Sequence, residues 1–209
     1  PSVQTPLRSR VRMNELTYNF DGSMMTLFER SGRALAIDLS DGRTLWTRTE
    51  LMDIVHDIDA NAGLIVVAGS NLVGDQWFDV NHRPEDRDAV VHVLEARTGR
   101  TLHTRREPVA VRWVRVTPEA EAILGLEDGI VSLDAHRGMV RWRNEAEFLS
   151  SSRTGLPMAG KFIVRGADNL LWMIDPASGT IDDEPLDVRG RLDRGFGRIE
   201  VTDLSQNFA

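Results

Sequence analysis

Short runs of strand-forming residues, separated by turn residues, recur along the chain, and the 3.6-residue period of a helix is absent from every long window. Four of these runs lie at 24–28, 64–68, 122–126 and 161–165. In three cases a turn that contains glycine joins the run to a following hairpin. This pattern predicts an all-β chain.

A repeated spacing of an acidic residue and a glycine organises these strands into units. In four segments an acidic residue stands four positions before a glycine, and an apolar residue precedes the acid. The four pairs are Asp38 with Gly42, Glu95 with Gly99, Asp134 with Gly138, and Asp175 with Gly179. Their glycines are 57, 39 and 41 residues apart. Each segment is typical of a β-hairpin, because glycine suits a positive-φ turn position and the acid accepts turn N–H groups.

About four strands per unit of roughly 40 residues is the pattern of β-propeller blades. A β-sandwich has no reason to repeat the acid-to-glycine spacing, and a parallel β-helix repeats at shorter periods. WD40 repeats are the nearest rival, but no Gly-His start or Trp-Asp finish recurs. We therefore predict a single propeller (sub)domain over 1–209, with a closing strand or a further blade at the end. Its blades lie at about 12–50, 51–107, 108–147 and 148–187, followed by 188–209.

The hairpins carry a longer motif, Ala-x-Asp-x-x-x-Gly-x-x-x-Trp. It resembles the tryptophan-docking motif of the PQQ-like, or quinoprotein-type, propeller family. One segment matches at every position and another has Ser132 in place of alanine, while the two remaining segments have His103 and Asp183 in place of tryptophan. The complete match consists of Ala36, Asp38, Gly42 and Trp46, and the match with serine consists of Ser132, Asp134, Gly138 and Trp142. The resemblance implies that Trp46 and Trp142 pack between neighbouring blades, as suits a large buried ring.

The family has a catalytic branch and a non-catalytic branch. PQQ-dependent dehydrogenases are full rings with calcium, a catalytic aspartate and often a vicinal disulfide, whereas this chain has four blades' worth of sequence and no cysteine. The resemblance therefore favours the branch of the outer-membrane assembly scaffold lipoprotein and of extracytoplasmic sensor propellers. It implies a scaffold for a protein partner or an unknown small ligand, with no catalytic residue, metal or cofactor. A fragment of a PQQ-dependent dehydrogenase and a cytosolic propeller scaffold are the alternatives.

Charge and hydropathy limit the partners and the location. The net charge is −7, and the 25 basic residues include a single lysine, Lys161. This acidic balance argues against nucleic-acid binding, which depends on neutralising phosphates. No apolar run approaches 18 residues, so we expect membrane attachment only through an unseen anchor. By the resemblance, the expected location is the periplasmic or extracellular face of a bacterial membrane, with a cytoplasmic location as the alternative.

Four blades are few for this family, and an open arc exposes apolar blade faces. Three arrangements are open. In the first, further blades lie outside this chain, and in the second, two copies complete one ring. In the third arrangement, a tail strand at 196–204 pairs with the first unit or begins a fifth blade. We expect a chain cut from a larger propeller.

Candidate binding residues concentrate in a long interruption of the second unit, at 71–88. Long loops on a rigid scaffold are frequent binding sites. Trp77 and Phe78 either fold back on the blade or meet a partner, and His82 and Arg83 lie beside them, so these four form a candidate partner-binding loop. A solvated acidic loop is favoured over a calcium site there.

Two further groups of residues have ordinary explanations. His56, Asp57 and Asp59 fall where the first strand of unit two should lie, and we expect a satisfied or exposed histidine there. Arg105-Arg106 and the pair Arg112 and Arg115 suggest a local basic spot for an anionic ligand, but 24 arginines make such pairs frequent by chance.

Overall fold

A computed structural model describes residues 16–29, 32–49, 51–72, 87–145, 155–158, 160–166 and 170–185. These residues form fifteen strands in four antiparallel sheets, and no helix occurs among them. The first sheet contains β1 (Leu16–Asp21), β2 (Met24–Glu29), β3 (Ala34–Asp38) and β4 (Thr44–Arg48). The second contains β5 (Ile54–Asn61), β6 (Leu64–Leu72), β7 (Arg87–Glu95) and β8 (Thr101–Glu107). The third contains β9 (Val111–Val116), β10 (Glu121–Leu126), β11 (Ile130–Asp134) and β12 (Met139–Asn144), and the fourth contains β13 (Gly155–Met158), β14 (Lys161–Arg165) and β15 (Leu171–Ile174).

Each sheet is a meander in which strands that follow one another in the chain are neighbours in space. The fourth sheet is extended by a single bridge between Ile174 and Ile181. The first strands of successive sheets lie side by side: β1 beside β5, β5 beside β9, and β9 beside β13. This arrangement of meanders, three of them with four strands and one with three strands and a bridge, around adjacent first strands is that of β-propeller blades.

The core lies between sheets rather than within one sheet. Because side chains alternate along a strand, β6 directs Ile65 and Val67 toward the first sheet and Val66 toward the third. All three side chains are fully buried. A third cluster joins the third sheet to the fourth; it consists of Trp113, Ile123, Ile130, Phe162, Val164 and Ile174. The second and third sheets are therefore covered by a neighbour on both faces.

A β-bulge recurs at one equivalent place in three sheets. The register between the third and fourth strands shifts just after the pairs Ala36 with Trp46, Val93 with His103, and Ser132 with Trp142. A bulge inserts a residue, bends the strand and redirects the neighbouring side chain. The ring at each of these positions stands beside its bulge, on the outermost strand of its sheet.

The strand predictions agree with this architecture. The runs at 24–28, 64–68 and 122–126 fall in β2, β6 and β10, and the run at 161–165 is β14. The predicted all-β class is confirmed. The division into blades at the boundaries given above stays a prediction, and 188–209 lies outside the described residues.

Candidate functional site

Trp46 joins the first sheet to the second. The indole is 9% exposed, and its Nε1 donates a hydrogen bond of 2.8 Å to the carbonyl of Ala96, in the turn of the next hairpin. The ring lies on Gly99, where a Cβ atom would approach its Cδ2 to 2.5 Å. Gly99 has a φ of 68°, so this position needs glycine both for the turn and for the close approach of the ring.

The same contact recurs at the next two junctions. Nε1 of Trp142 donates to the carbonyl of Pro176 over 2.7 Å, and its ring lies on Gly179. In the degenerate repeat the smaller ring of His103 bonds through Nε2 to the carbonyl of His136. A Cβ atom at Gly138 would lie 3.2 Å from that imidazole, so the contact there is looser.

A second donor follows each tryptophan by two residues. Nη1 of Arg48 donates to the carbonyl of Gly99 over 2.7 Å, and Nδ2 of Asn144 donates to the carbonyl of Gly179 over 3.0 Å. Sequence reasoning missed this second donor, although the spacing of Arg or Asn two positions after the ring is visible in the repeats. Each ring comes from one sheet and each acceptor hairpin from the next, so the contacts run in one direction along the chain.

The motif carboxylates bind their own turns. Oδ1 of Asp38 accepts from Ser40, both its N–H and its hydroxyl, and these two bonds hold the pKa of Asp38 below its ordinary value. The N–H of Ala177 holds the pKa of Asp175 low in the same way. The hydroxyl of Thr98 donates to Oε2 of Glu95 and holds the pKa of Glu95 below its ordinary value. Their hydrogen-bonding capacity serves the turns, as in Asx turns.

Asp134 follows the same arrangement. Its Oδ1 accepts from the N–H groups of His136 and Arg137, each over 3.0 Å. Burial opposes ionisation, but these two N–H groups prevail and lower the pKa of Asp134.

Side chains of β5 fasten the second sheet to the third. Oδ2 of Asp57 accepts from the backbone N–H of Val114 over 2.9 Å and from Nη1 of Arg115 over 3.1 Å. Two residues on, Oδ2 of Asp59 accepts from the N–H of Val116 over 2.7 Å. Burial raises the pKa of Asp57 despite the opposing charge of Arg115. The expected strand at this place is therefore present, and its acids serve the junction of two sheets.

The neighbouring histidine is satisfied, as expected. His56 bonds to the carbonyl of Val111 through Nδ1 and to the hydroxyl of Ser70 through Nε2.

Three arginines of the suggested basic spot face carboxylates. Arg112 pairs with Glu127 over 2.9 Å, Arg115 pairs with Asp57, and Arg105 pairs with Glu107, whose side chain is fully buried. These ion pairs compete with the binding of an anion at the same guanidinium groups.

The candidate loop residues Trp77, Phe78, His82 and Arg83 lie outside the described residues. Within the described ranges, no group of three or more histidine, aspartate or glutamate side chains is arranged to hold a metal ion. The described residues contain no helix, and therefore none that is long and apolar enough to cross a bilayer.

The successive antiparallel meanders, with a ring of one sheet seated on the hairpin of the next, define a PQQ-like β-propeller. A family model described as outer membrane protein assembly factor BamB matches residues 5–142, and the chain belongs to this family. No curated protein sequence is significantly similar to the chain.

Solved structures share the fold at low sequence identity. BamB from Moraxella catarrhalis superposes with a TM-score of 0.61 at 15% identity, over 82% of this chain and 48% of its own. The computationally designed protein Ika8 superposes with a TM-score of 0.60 at 12% identity, over 82% of this chain and 49% of its own. The designed protein Ika4 superposes with a TM-score of 0.61 at 13% identity, over 83% of this chain and 96% of its own. The chain thus spans about half the length of the first two proteins, and identities this low show the fold alone.

Proposed function

We propose that this protein is a non-enzymatic β-propeller scaffold that binds a protein partner outside the cytoplasm, at the periplasmic or extracellular face of a bacterial membrane. Membership of a family described as an outer membrane assembly factor supports both the scaffold role and the location. Assembly factors act by contact with other proteins, which suits a rigid fold that presents loops.

The observation that carries the proposal is that the motif residues form structural contacts within their own turns and between neighbouring sheets. The repeated acids Asp38, Asp134 and Asp175 bind the N–H groups of their own turns. The rings of Trp46 and Trp142 are seated on hairpins of neighbouring sheets. We assign these residues and their glycines to holding the blades together, which leaves binding to the loops.

The loop that contains Trp77, Phe78, His82 and Arg83 is the proposed partner-binding segment. The test is affinity capture and crosslinking with the wild-type protein, followed by titration of any captured partner against a Trp77→Ala/Phe78→Ala variant. Val140→Thr is a matched control, because Val140 is an apolar side chain, 44% exposed, on another sheet. We expect the loop variant to weaken binding at least tenfold and the control to bind like wild type. Equal binding by both variants would remove the loop from the proposal.

The rival function is that of a PQQ-dependent dehydrogenase fragment. Addition of PQQ and calcium should leave the melting temperature unchanged and produce no dye-coupled oxidation of alcohols. A saturable thermal shift together with alcohol oxidation would replace the scaffold proposal with the catalytic one. A cytosolic scaffold is distinguished by fractionating cells that carry the native gene, because our proposal places the protein outside the inner membrane.

A further inference from the structure

The junction between the second and third sheets differs at its outer edge from the other two junctions. Its ring is His103, and a Cβ atom at Gly138 would lie 3.2 Å from this imidazole. The corresponding distances to the indoles at Gly99 and Gly179 are 2.5 and 2.4 Å. An imidazole also buries less apolar area than an indole. The ring therefore holds these two sheets together less tightly than tryptophan holds the others.

The second donor does not reach across this junction. At the other two junctions, Arg48 and Asn144 donate to carbonyl groups of the next hairpin. Arg105 occupies the equivalent position on β8, but its Nε pairs with Glu107 of the same strand. Within the described residues, Arg105 donates no hydrogen bond to the third sheet. Its guanidinium group therefore serves its own strand rather than the junction.

A buried carboxylate with an incomplete set of partners lies at the same edge. The Glu107 side chain is fully buried, and its Oε2 has no hydrogen-bond partner within the described part of the chain. Nη1 of Arg143, on β12, lies 3.7 Å from this oxygen, which exceeds the length of a hydrogen bond. Arg143 is closer to two carboxylates beside its own sheet, since Nη2 is 3.0 Å from Asp128 and Nε is 2.9 Å from Glu145. The ion pair that crosses the junction is thus the longest of the three.

The burial of Glu107 opposes closure of this edge. Removal of a carboxylate from water costs free energy, which is recovered only when partners satisfy the group. Parting of β8 and β12 would return Glu107 and Arg143 to water, and Arg105 would keep its partner on β8. Closure of the outer edge therefore gains little free energy.

The inner part of the same junction is firmly held. Asp57 and Asp59 of β5 accept the N–H groups of Val114 and Val116 of β9, over 2.9 and 2.7 Å. Next to these strands, the aliphatic side chains of β6 and β10 belong to one buried cluster. The two sheets are therefore fastened at their inner strands and weakly joined at their outermost strands.

We propose that the second and third sheets form a hinge, in which β8 and β12 part reversibly at the rim while β5 and β9 remain joined. Opening breaks the bond of His103 to the carbonyl of His136 and separates Glu107 from Arg143. The two junctions closed by tryptophan stay shut under the same conditions. Local opening of this kind occurs where few buried apolar contacts hold an element.

Buried thiols behind each ring test the hinge, because the wild-type chain has no cysteine. Three variants place a thiol at the residue that pairs directly with each ring position: Ala36→Cys, Val93→Cys and Ser132→Cys. All three positions are at most 3% exposed. Ala68→Cys is the control for the inner part of the junction, because Ala68 pairs with β5 and belongs to the cluster shared with the third sheet.

The rate of labelling with dithionitrobenzoate under native conditions gives an opening constant for each thiol, and urea titration gives the constant for global unfolding. We expect the ratio of these two constants to be at least about tenfold higher for Val93→Cys than for the other two outer thiols. Ala68→Cys should give the same ratio as Ala36→Cys, because the inner strands stay joined. Equal ratios at the three outer thiols would overturn the proposal. Fast labelling of Ala68→Cys would also overturn it, because the sheets would then separate along their whole width.

Two variants that tighten the outer edge complete the test. His103→Trp supplies the ring of the other junctions, and Glu107→Leu/Arg143→Met replaces the buried ion pair by apolar side chains. Either variant, added to Val93→Cys, should lower the labelling ratio at least about tenfold, and neither should change the ratio of Ala36→Cys. The ion-pair variant serves if the protein with the larger ring does not fold, as judged by circular dichroism. Folded variants that leave the ratio of Val93→Cys unchanged would rule out the proposed hinge.

Discussion

The indole of Trp46 rests on the backbone of Gly99, fifty-three positions later in the chain and in the next sheet. A Cβ atom at Gly99 would lie 2.5 Å from Cδ2 of the ring, inside van der Waals contact. The hydrogen bond from Nε1 to the carbonyl of Ala96 fixes the ring in this position. The glycine of the motif is therefore required by its neighbour as well as by its own turn.

Gly99→Ala should destabilise the protein more than Gly63→Ala does. Both glycines have positive φ, 68° and 73°, but a Cβ atom at Gly63 meets nothing within 4 Å. The control therefore carries only the backbone penalty of about 1–2 kcal/mol. We expect a further loss of about 1–3 kcal/mol at Gly99, because the ring must move. The midpoints of urea unfolding measure both losses, and equal midpoints would argue against the packing assigned to Trp46.

Thr26→Val should stabilise the protein. The Thr26 side chain is buried on β2, and its hydroxyl has no hydrogen-bond partner within the described part of the chain. The equivalent residue in the second sheet is Val66. Removing an unsatisfied buried hydroxyl at constant volume should add about 1 kcal/mol to the free energy of unfolding. Thr47→Val on the exposed face of β4 is the control and should change that energy by less than about 0.5 kcal/mol.

His92 should make the protein less stable in mild acid. Nε2 of His92 bonds to the carbonyl of Leu51 over 2.7 Å, and Nδ1 bonds to the hydroxyl of Thr104 over 2.9 Å. Burial lowers the pKa of His92 below its ordinary 6.5, with a smaller contribution from the charge of Arg48. Below pH 6.5 the unfolded chain therefore binds a proton that the folded protein resists. The stability from this group is complete above that pH and declines as the pH falls toward the lower, folded value.

The variant His92→Gln isolates this effect, because it keeps an amide donor but does not titrate. The free energy of unfolding, measured in urea between about pH 5 and 7.5, should fall less steeply with acid for the variant than for wild type. Parallel pH profiles for the two proteins would show that His92 does not contribute in this range.

Asp57→Ala should cost more stability than Asp57→Asn. The alanine variant leaves the N–H of Val114 and the guanidinium of Arg115 without the oxygen that both use, a loss of about 2–4 kcal/mol. Asparagine keeps an oxygen for Val114. It also removes a charge whose burial raises the pKa of Asp57, so its cost should be smaller by at least about 1 kcal/mol. Urea unfolding at neutral pH provides the comparison, and equal losses would assign the effect to charge rather than to the hydrogen bond.

The sequence predicts the strands and the propeller class because both depend on local patterns. The Asp38-to-Gly42 spacing marks a turn, and four copies in order define the repeat. The resemblance also implies that Trp46 packs between blades. Its hydrogen-bond acceptor, the Ala96 carbonyl, could not be predicted, because it depends on how far one sheet is displaced along the next.

The β5 acids illustrate the limit further. The sequence shows Asp57 and Asp59 beside a histidine, a pattern shared by ligand sites and by ordinary polar strands. Their actual partners are backbone N–H groups of Val114 and Val116, fifty-seven residues away in both cases. Backbone N–H groups carry no side-chain identity, so no sequence pattern marks them as partners.

These two carboxylates also bear on how the protein avoids misassociation. β9 is the edge strand of the third sheet, and a strand edge with unpaired N–H groups is a template for growth of cross-β aggregates. Asp57 and Asp59 occupy alternate N–H groups along this edge, at Val114 and Val116, as a paired strand would. Two side chains thus take the place of a strand without extending the sheet, and they place negative charge where an intruding backbone would have to present its carbonyl oxygens.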